Sequence, residues 1–293
     1  MTVLLAEHSG FCFGVRRAIR MAREAKAEGG EVCTLGALIH NPQIVGELAQ
    51  QGIAACDETA ALSGKTVVVR SHGISKQQLE TLLKAGNRIV DATCPYVKRA
   101  QELVASMSEN PVFIMGDAHH PEVEGMLSYG NEQTRVVEPD LPLAGQSWKI
   151  LSVVSQTTRK IGDLQTLVCR LLPVTQELHV FNTICSATTL RQASAVALAK
   201  RSDLMIVIGG RNSSNTRILH ELCGAETRSV HIETEAEITP ALLAGASRIG
   251  LAAGASTPAE TIVTVFNVIK EINGEAGTAR CIEDLPLFKE ESC

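Results

Sequence analysis

Aromatic side chains make up only 3% of this 293-residue chain: one Trp, two Tyr and six Phe. The core must therefore be aliphatic, and a nucleic-acid surface that stacks bases on several rings is not favoured. A basic excess is missing too, with 27 Lys and Arg against 32 Asp and Glu and a formal charge of −5. General attraction to nucleic acid or to an anionic membrane is not expected, so any anionic ligand needs a local site. No stretch approaches the roughly 18 apolar residues of a spanning helix. Met1 to His8 lack the basic and apolar regions of a signal peptide, so a cytoplasmic location is expected. The chain has no CxxC pair, no GxxxxGK[ST] and no GxGxxG. Zinc modules of paired spacing and ordinary nucleotide sites are thus unsupported.

What is present is a soluble-protein mixture, 45% hydrophobic and 20% charged. The length is close to twice the ~150 residues typical of one domain. Nine cysteines are many for a cytoplasmic protein, and their odd number argues against a disulfide framework. Any one of them reads as a small buried hydrophobe. A subset, however, recurs.

Short β-branched runs alternate with amphipathic ones, which indicates an α/β protein with mostly parallel sheets. Three loop classes then repeat in order. In the first, a strand leads to a cysteine and a helix: Cys12 before Val15-Arg16-Arg17-Ala18, Cys94 before Val97-Lys98-Arg99-Ala100, and Cys185 before Leu190-Arg191-Gln192-Ala193. In the second, polar loops carry His40-Asn41-Pro42, His120-Pro121-Glu122 and Asn212-Ser213-Ser214-Asn215. In the third, the strands Thr66–Val69, Ile150–Val154 and Ile249–Ala253 lead to His72, Thr157 and Ser256. The chain therefore reads as three units of about 90 residues: 1–92 with Cys12, His40 and His72; 93–183 with Cys94, His120 and Thr157; and 184–281 with Cys185, Ser213 and Ser256. Residues 282–293 form a tail. Cys33, Cys56, Cys169, Cys223, Cys281 and Cys293 have no counterparts in the repeat and are expected to pack, or to sit exposed at the tail.

Loops at the carboxyl ends of parallel strands build ligand sites. Three units facing a common centre would bring three thiols together. Three thiolates favour a soft metal: zinc with one further ligand, or a 4Fe-4S cluster whose fourth iron stays open. Cys94 precedes Pro95, a preferred first helical residue, and a helix start lowers a thiol's pKa. The helix starts rich in His, Ser, Asn and Thr suit an oxyanion or diphosphate. Glu122, in the first turn after Pro121, would be raised toward neutrality by burial near an anionic ligand, as a proton donor requires. Glu124 and His119 are expected to point elsewhere.

These residues closely resemble the LytB (IspH) family of 4-hydroxy-3-methylbut-2-enyl diphosphate reductases. The likeness runs through Gly10-Phe11-Cys12-Phe13-Gly14-Val15, Asp91-Ala92-Thr93-Cys94-Pro95, His120-Pro121-Glu122-Val123-Glu124-Gly125, Ser155-Gln156-Thr157-Thr158, Asn212-Ser213-Ser214-Asn215 and Ala253-Gly254-Ala255-Ser256. It spans nearly the whole chain in order. It implies an α/β trefoil of three pseudo-equivalent units, with mostly parallel sheets, around a central iron–sulfur cluster. By resemblance, Cys12, Cys94 and Cys185 hold a 4Fe-4S cluster with one open iron. His40, His72, His120, Thr157, Ser213, Ser214, Asn215 and Ser256 bind the substrate, mostly through its diphosphate. Glu122 and Thr157 deliver protons, and His120 joins them in the catalytic set. Phe13 departs from the family, where many relatives have a small residue.

The implied reaction is reductive dehydroxylation of an allylic diphosphate to isopentenyl and dimethylallyl diphosphate. With no flavin or nicotinamide motif in the chain, the resemblance implies reduced flavodoxin or ferredoxin as electron donor. Neither nucleic acid nor a membrane is expected as partner. Two other classes are a non-catalytic iron–sulfur sensor and a zinc-dependent hydrolase. The first lacks a basic patch or helix-turn-helix signature, and metal content separates the second.

Overall fold

The computed structural model describes residues 1–107 and 109–273. Cys281, Cys293 and the 282–293 tail lie outside the described residues. The chain opens with β1 (Thr2–Leu5) and α1 (Phe13–Ala27), then β2 (Val32–Leu35), α2 (Pro42–Gln50), β3 (Ile53–Cys56), β4 (Thr66–Val69), α3 (Lys76–Lys84), β5 (Arg88–Asp91) and α4 (Pro95–Ser106). It continues with β6 (Val112–Met115), α5 (Pro121–Ser128), β7 (Arg135–Val137), β8 (Trp148–Ser155), α6 (Ile161–Leu171), β9 (Thr175–Phe181) and α7 (Ser186–Ala199). The last stretch gives β10 (Leu204–Ile208), α8 (Ser214–Gly224), β11 (Arg228–Ile232), α9 (Pro240–Leu243), β12 (Arg248–Ala253) and α10 (Ala259–Asn273).

Three four-stranded sheets form, in the orders β3-β2-β4-β5, β7-β6-β8-β9 and β11-β10-β12-β1. Every pairing in them is parallel. The expected α/β class, three pseudo-equivalent units on parallel sheets, is borne out. The strand that precedes each repeated cysteine (β5, β9 or β1) lies at a sheet edge, beside the strand that opens the third loop class (β4, β8 or β12). Strand β1, which heads residues 1–92 in the sequence, completes the third sheet: Thr2 stands opposite Arg248 and Leu5 opposite Leu251.

The chain forms two compact units. One comprises Met1–Cys12, His40–Pro42 and the described chain from Ser186, and holds the β11-β10-β12-β1 sheet. Its central strand Leu204-Met205-Ile206-Val207-Ile208 is apolar throughout because both faces are covered. The two-residue period then assigns faces. Leu204, Ile206 and Ile208 pack with Ile262, Val265, Phe266 and Ile269 of α10. Met205 and Val207 pack with Ala195, Leu198 and Ala199 of α7 and with Leu219 and Cys223 of α8.

The second unit comprises Phe13–Ile39 and Gln43–Cys185 and holds the other two sheets. Val112 and Ile114 face Ala100 and Val104 of α4 and Val123 and Met126 of α5. Phe113 and Met115 face Leu164, Leu167 and Leu171 of α6. In the remaining sheet Cys33, Leu35, Val67 and Val69 pack with Ile74 and Leu82.

This topology positions the polar loops. Strand β2 runs through α2 out to β3, while β4 runs through α3 to β5 on the opposite side. The winding reverses between β2 and β4, and likewise between β6 and β8 and between β10 and β12. Such switch points open a crevice at the carboxyl ends of the strands. The loops after these six strands carry His40 and His72, His120 and Thr157, and Ser213 and Ser256.

The Ile206 side chain, 0% exposed at the centre of its sheet, gives a direct check on this core. Ile206→Ala is expected to cost about 2–5 kcal/mol, read as a lowered midpoint in urea unfolding with an unchanged slope.

Candidate active site

Cys12, Cys94 and Cys185 each stand at the residue before a helix: α1, α4 and α7. None of the three is in a disulfide, and all are partly exposed. Each backbone N–H donates to a carbonyl in the loop after the strand that neighbours its own. Cys12 N reaches Ala255 O at 3.1 Å, Cys94 N reaches Ser71 O at 2.9 Å and Cys185 N reaches Thr157 O at 3.0 Å. Each cysteine is thus stitched to the loop carrying Ser256, His72 or Thr157. Cys33 and Cys223 are different, being buried. Burial pushes both their thiols up, that of Cys223 to about 11, which disfavours the thiolate that a metal needs. The three repeated thiols, partly exposed at helix starts, fit a soft metal; the two buried ones are packing residues.

In the second unit the predicted residues form a continuous chain of contacts. The His72 and His120 rings meet edge to face, with centroids 5.5 Å apart. His120 caps α5, its Nδ1 accepting from the Glu122 N–H at 3.2 Å, and Pro121 follows at the first helical position. An accepting Nδ1 leaves the ring proton of the neutral imidazole on Nε2. Glu122 is 1% exposed. Thr157 holds both of its carboxylate oxygens, donating from its backbone N–H to Oε1 at 2.6 Å and from its hydroxyl to Oε2 at 2.8 Å. Burial raises the Glu122 carboxyl from its ordinary 4.5 to about 7, against the opposing pull of the two Thr157 hydrogen bonds. Through the Thr157 carbonyl this pair is joined to Cys185. Glu124 and His119 are exposed, as expected. Gly73, just after His72, has φ +75°, and a Cβ there would lie 2.6 Å from Gln101 Nε2.

In the first unit the Ser256 hydroxyl donates to His40 O at 3.0 Å, and Asn41 Nδ2 donates to Ser256 O at 2.9 Å. Ser213 caps α8, its hydroxyl accepting from Thr216 N. Ser214 and Asn215 are buried in that helix's first turn. Among the described residues, neither the amide nitrogen nor the oxygen of the Asn215 side chain has a hydrogen-bond partner. A buried amide left so costs about 1–3 kcal/mol, which suits a ligand that supplies the missing partner.

Sequence reasoning missed Gln156, whose side chain is fully buried. Its Oε1 accepts from Asp117 N at 3.0 Å and its Nε2 donates to Thr158 Oγ1 at 3.1 Å, so it fastens the His120 loop to the Thr157 loop. The available signal was its place between Ser155 and Thr157. The backbone N–H of Thr157 was also missed, because no side-chain pattern reports a main-chain donor.

A family model described as LytB protein matches residues 3–270 of the chain. The 4-hydroxy-3-methylbut-2-enyl diphosphate reductase of Pelobacter propionicus is 44% identical over 281 residues, 93% of this chain and 99% of that one. The enzyme of the same name from Geobacter metallireducens is 43% identical over 277 residues, 93% of this chain and 98% of that one. The solved structure of (E)-4-hydroxy-3-methyl-but-2-enyl diphosphate reductase, the terminal enzyme of the non-mevalonate pathway, is 40% identical with a TM-score of 0.67, covering 92% of this chain and 99% of that one. The Plasmodium falciparum reductase structure is 26% identical with a TM-score of 0.84, covering 98% and 95%.

The raised Glu122 pKa has a thermodynamic consequence. The folded state holds this proton more tightly than the unfolded chain does. Its stabilisation is therefore complete below about pH 4.5 and is lost as pH rises through about 7. Glu122→Gln cannot titrate. Wild type is expected to lose unfolding free energy relative to Glu122→Gln across that window, measured by urea unfolding of both proteins at a series of pH values.

Proposed function

Because the chain belongs to the LytB family, the 4-hydroxy-3-methylbut-2-enyl diphosphate reductases, we propose that Glu122 is its proton donor, Thr157 its relay, and the loops at the three switch points its diphosphate cage. The chain is an oxidoreductase of the isoprenoid pathway. It carries out reductive dehydroxylation of (E)-4-hydroxy-3-methylbut-2-enyl diphosphate to isopentenyl and dimethylallyl diphosphate, the last step of the non-mevalonate route. Two electrons and two protons enter, and the hydroxyl leaves as water.

The observation that carries the assignment of roles is the buried Glu122–Thr157 pair, bonded through Thr157 to Cys185. With its pKa near 7, Glu122 is partly protonated at neutral pH and can give its proton to a departing oxygen. The Thr157 hydroxyl donates to the carboxylate and can turn to accept from the carboxylic acid. It can therefore pass a proton to a substrate oxygen while the backbone N–H keeps the carboxyl in place.

His40, His72, His120, Ser213, Ser214, Asn215 and Ser256 supply neutral or cationic donors to a diphosphate. His120 offers its Nε2 proton, and Asn215 its unmet amide. The helix starts of α5 and α8 add main-chain N–H groups. Cys12, Cys94 and Cys185 would hold a 4Fe-4S cluster, with one iron left open to substrate, and the cluster would supply electrons one at a time and a Lewis-acid position. Each of the units 1–92, 93–183 and 184–281 contributes one of these thiols and two polar loops. The electron donor is reduced flavodoxin or ferredoxin, and the protein works in the cytoplasm. Among the described residues no helix is long and apolar enough to cross a membrane.

Glu122→Gln preserves size: its Oε1 can still accept from the Thr157 N–H and its amide NH2 can donate to the Thr157 hydroxyl, but it cannot deliver a proton. It is expected to keep its iron and its substrate affinity while kcat falls by ~100-fold or more. Steady-state rates with iron content measured on the same samples decide it, and a near-normal kcat removes Glu122 as donor. His40→Ala or Ser256→Ala is expected to act on KM instead, raising it by one to two orders of magnitude, roughly 1.4 to 2.7 kcal/mol. Cys185→Ser is expected to lose iron and activity, whereas Cys223→Ser keeps both. A Cys185→Ser protein with full iron and turnover removes the metal assignment.

A further inference from the structure

An arginine recurs on each helix that follows a repeated cysteine: Arg17 on α1, Arg99 on α4 and Arg191 on α7. An exposed arginine on a helix is ordinary, and Arg99 is exposed. The other two are not. Arg191 is only 5% exposed. Its Nη2 donates to Gly10 O at 3.0 Å and its Nη1 to Ala187 O at 3.3 Å. Gly10 lies two residues before Cys12, and Ala187 two residues after Cys185. Arg17 is half-buried; its Nη1 donates to Thr93 O at 3.1 Å and its Nη2 to Asp91 O at 3.4 Å. Thr93 directly precedes Cys94. In each case a helix that begins at one cysteine sends a guanidinium to the loop of another.

A guanidinium keeps its charge throughout the range in which proteins fold, and taking it out of water is costly. Filling space at Arg191 does not need a cation. Its planar fork, however, can fix two carbonyls at once, which a lysine cannot do. We propose that Arg191 and Arg17 are positioning residues for the metal-binding loops. Their forks fix the main chain beside Cys12 and Cys94 and set a fixed positive charge on each of those loops. This rests on the reading of Cys12, Cys94 and Cys185 as ligands. Groups that orient first ligands in this way govern metal retention, and local charge and hydrogen bonding tune a cluster's potential. The third loop is held differently: Asn182 Oδ1 accepts from Ile184 N at 3.2 Å, and the Thr183 hydroxyl is bonded to Ser155.

The test compares wild type with Arg191→Gln, Arg191→Lys, Arg17→Gln and, as a control, Arg99→Gln. All are reconstituted anaerobically with iron and sulfide. The readouts are iron per chain, the rate of iron loss to a chelator and the reduction potential from a dye-mediated titration. Arg191→Gln and Arg17→Gln are expected to lose iron about 10- to 100-fold faster than wild type and to show a more negative potential. Arg191→Lys keeps the charge without the fork, so it is expected to lose iron faster at a near-normal potential. Arg99→Gln is expected to match wild type. Wild-type iron retention and potential in both Gln variants overturn the proposal. If Arg191→Gln does not fold, Arg17→Gln and Arg191→Lys decide on the same criteria. A wild-type protein that takes up no iron overturns the ligand reading itself, and this inference with it.

Discussion

A single main-chain hydrogen bond, made three times over, ties the chemistry of this protein to its sheets. Each of Cys12, Cys94 and Cys185 leaves an edge strand and donates its N–H to the loop beyond the adjacent strand. The parallel register of β1 on β12, β5 on β4 and β9 on β8 brings donor and acceptor to the same level. Parallel strands send all their carboxyl ends one way, so the cysteine loop and the polar loop of each sheet emerge side by side. A slip in one of these pairings would move both the thiol and the neighbouring Ser256, His72 or Thr157 loop out of place.

The second unit shows how far such local fastening extends. From Cys94 the contacts pass to the His72 loop, across the ring pair to His120, through its cap to Glu122, and by Thr157 to Cys185. Each link fastens the fold around the proposed proton donor. The imidazole that caps α5 is fixed as the tautomer that presents Nε2–H. The carboxyl accepting two bonds from Thr157 is excluded from water, and the exclusion outweighs those bonds, leaving its pKa near 7. Stability is therefore surrendered as pH rises through about 7.

Much of this was legible in the residues. Cys12, Cys94 and Cys185 recur at equivalent points because each must follow a strand and begin a helix, and that punctuation is written in β-branched runs and Pro95. His120-Pro121-Glu122 announced a helix start, and the structure sets its Glu122 against Thr157. The pairing of β1 with β12 was not legible, because no local pattern reports which distant edge a short apolar strand will join. Arg191 was read only as part of a helix, since an arginine there is normally solvated and its target carbonyl at Gly10 has no side chain to betray it. Gln156 stayed hidden for a similar reason: its partners include a main-chain N–H. Strand and helix type depend on side-chain periodicity, whereas these braces depend on backbone groups that every residue carries alike.

The place of β1 also governs when the molecule can be finished. It is made first, yet its partner β12 is among the last strands to be synthesised. Bringing ends so far apart in sequence together is slow and entropically costly. Until Ala255 has been released, the Cys12 N–H lacks its acceptor and that loop has no fixed position. The sheets built from β2 to β9 need nothing beyond their own span, so they can form on a growing chain. The Cys12 loop, by contrast, is fixed only once β12 and Ala255 have been made. A chain cut short before β12 would carry Cys12, Cys94 and Cys185 and still leave the Cys12 loop without the acceptor that fixes it.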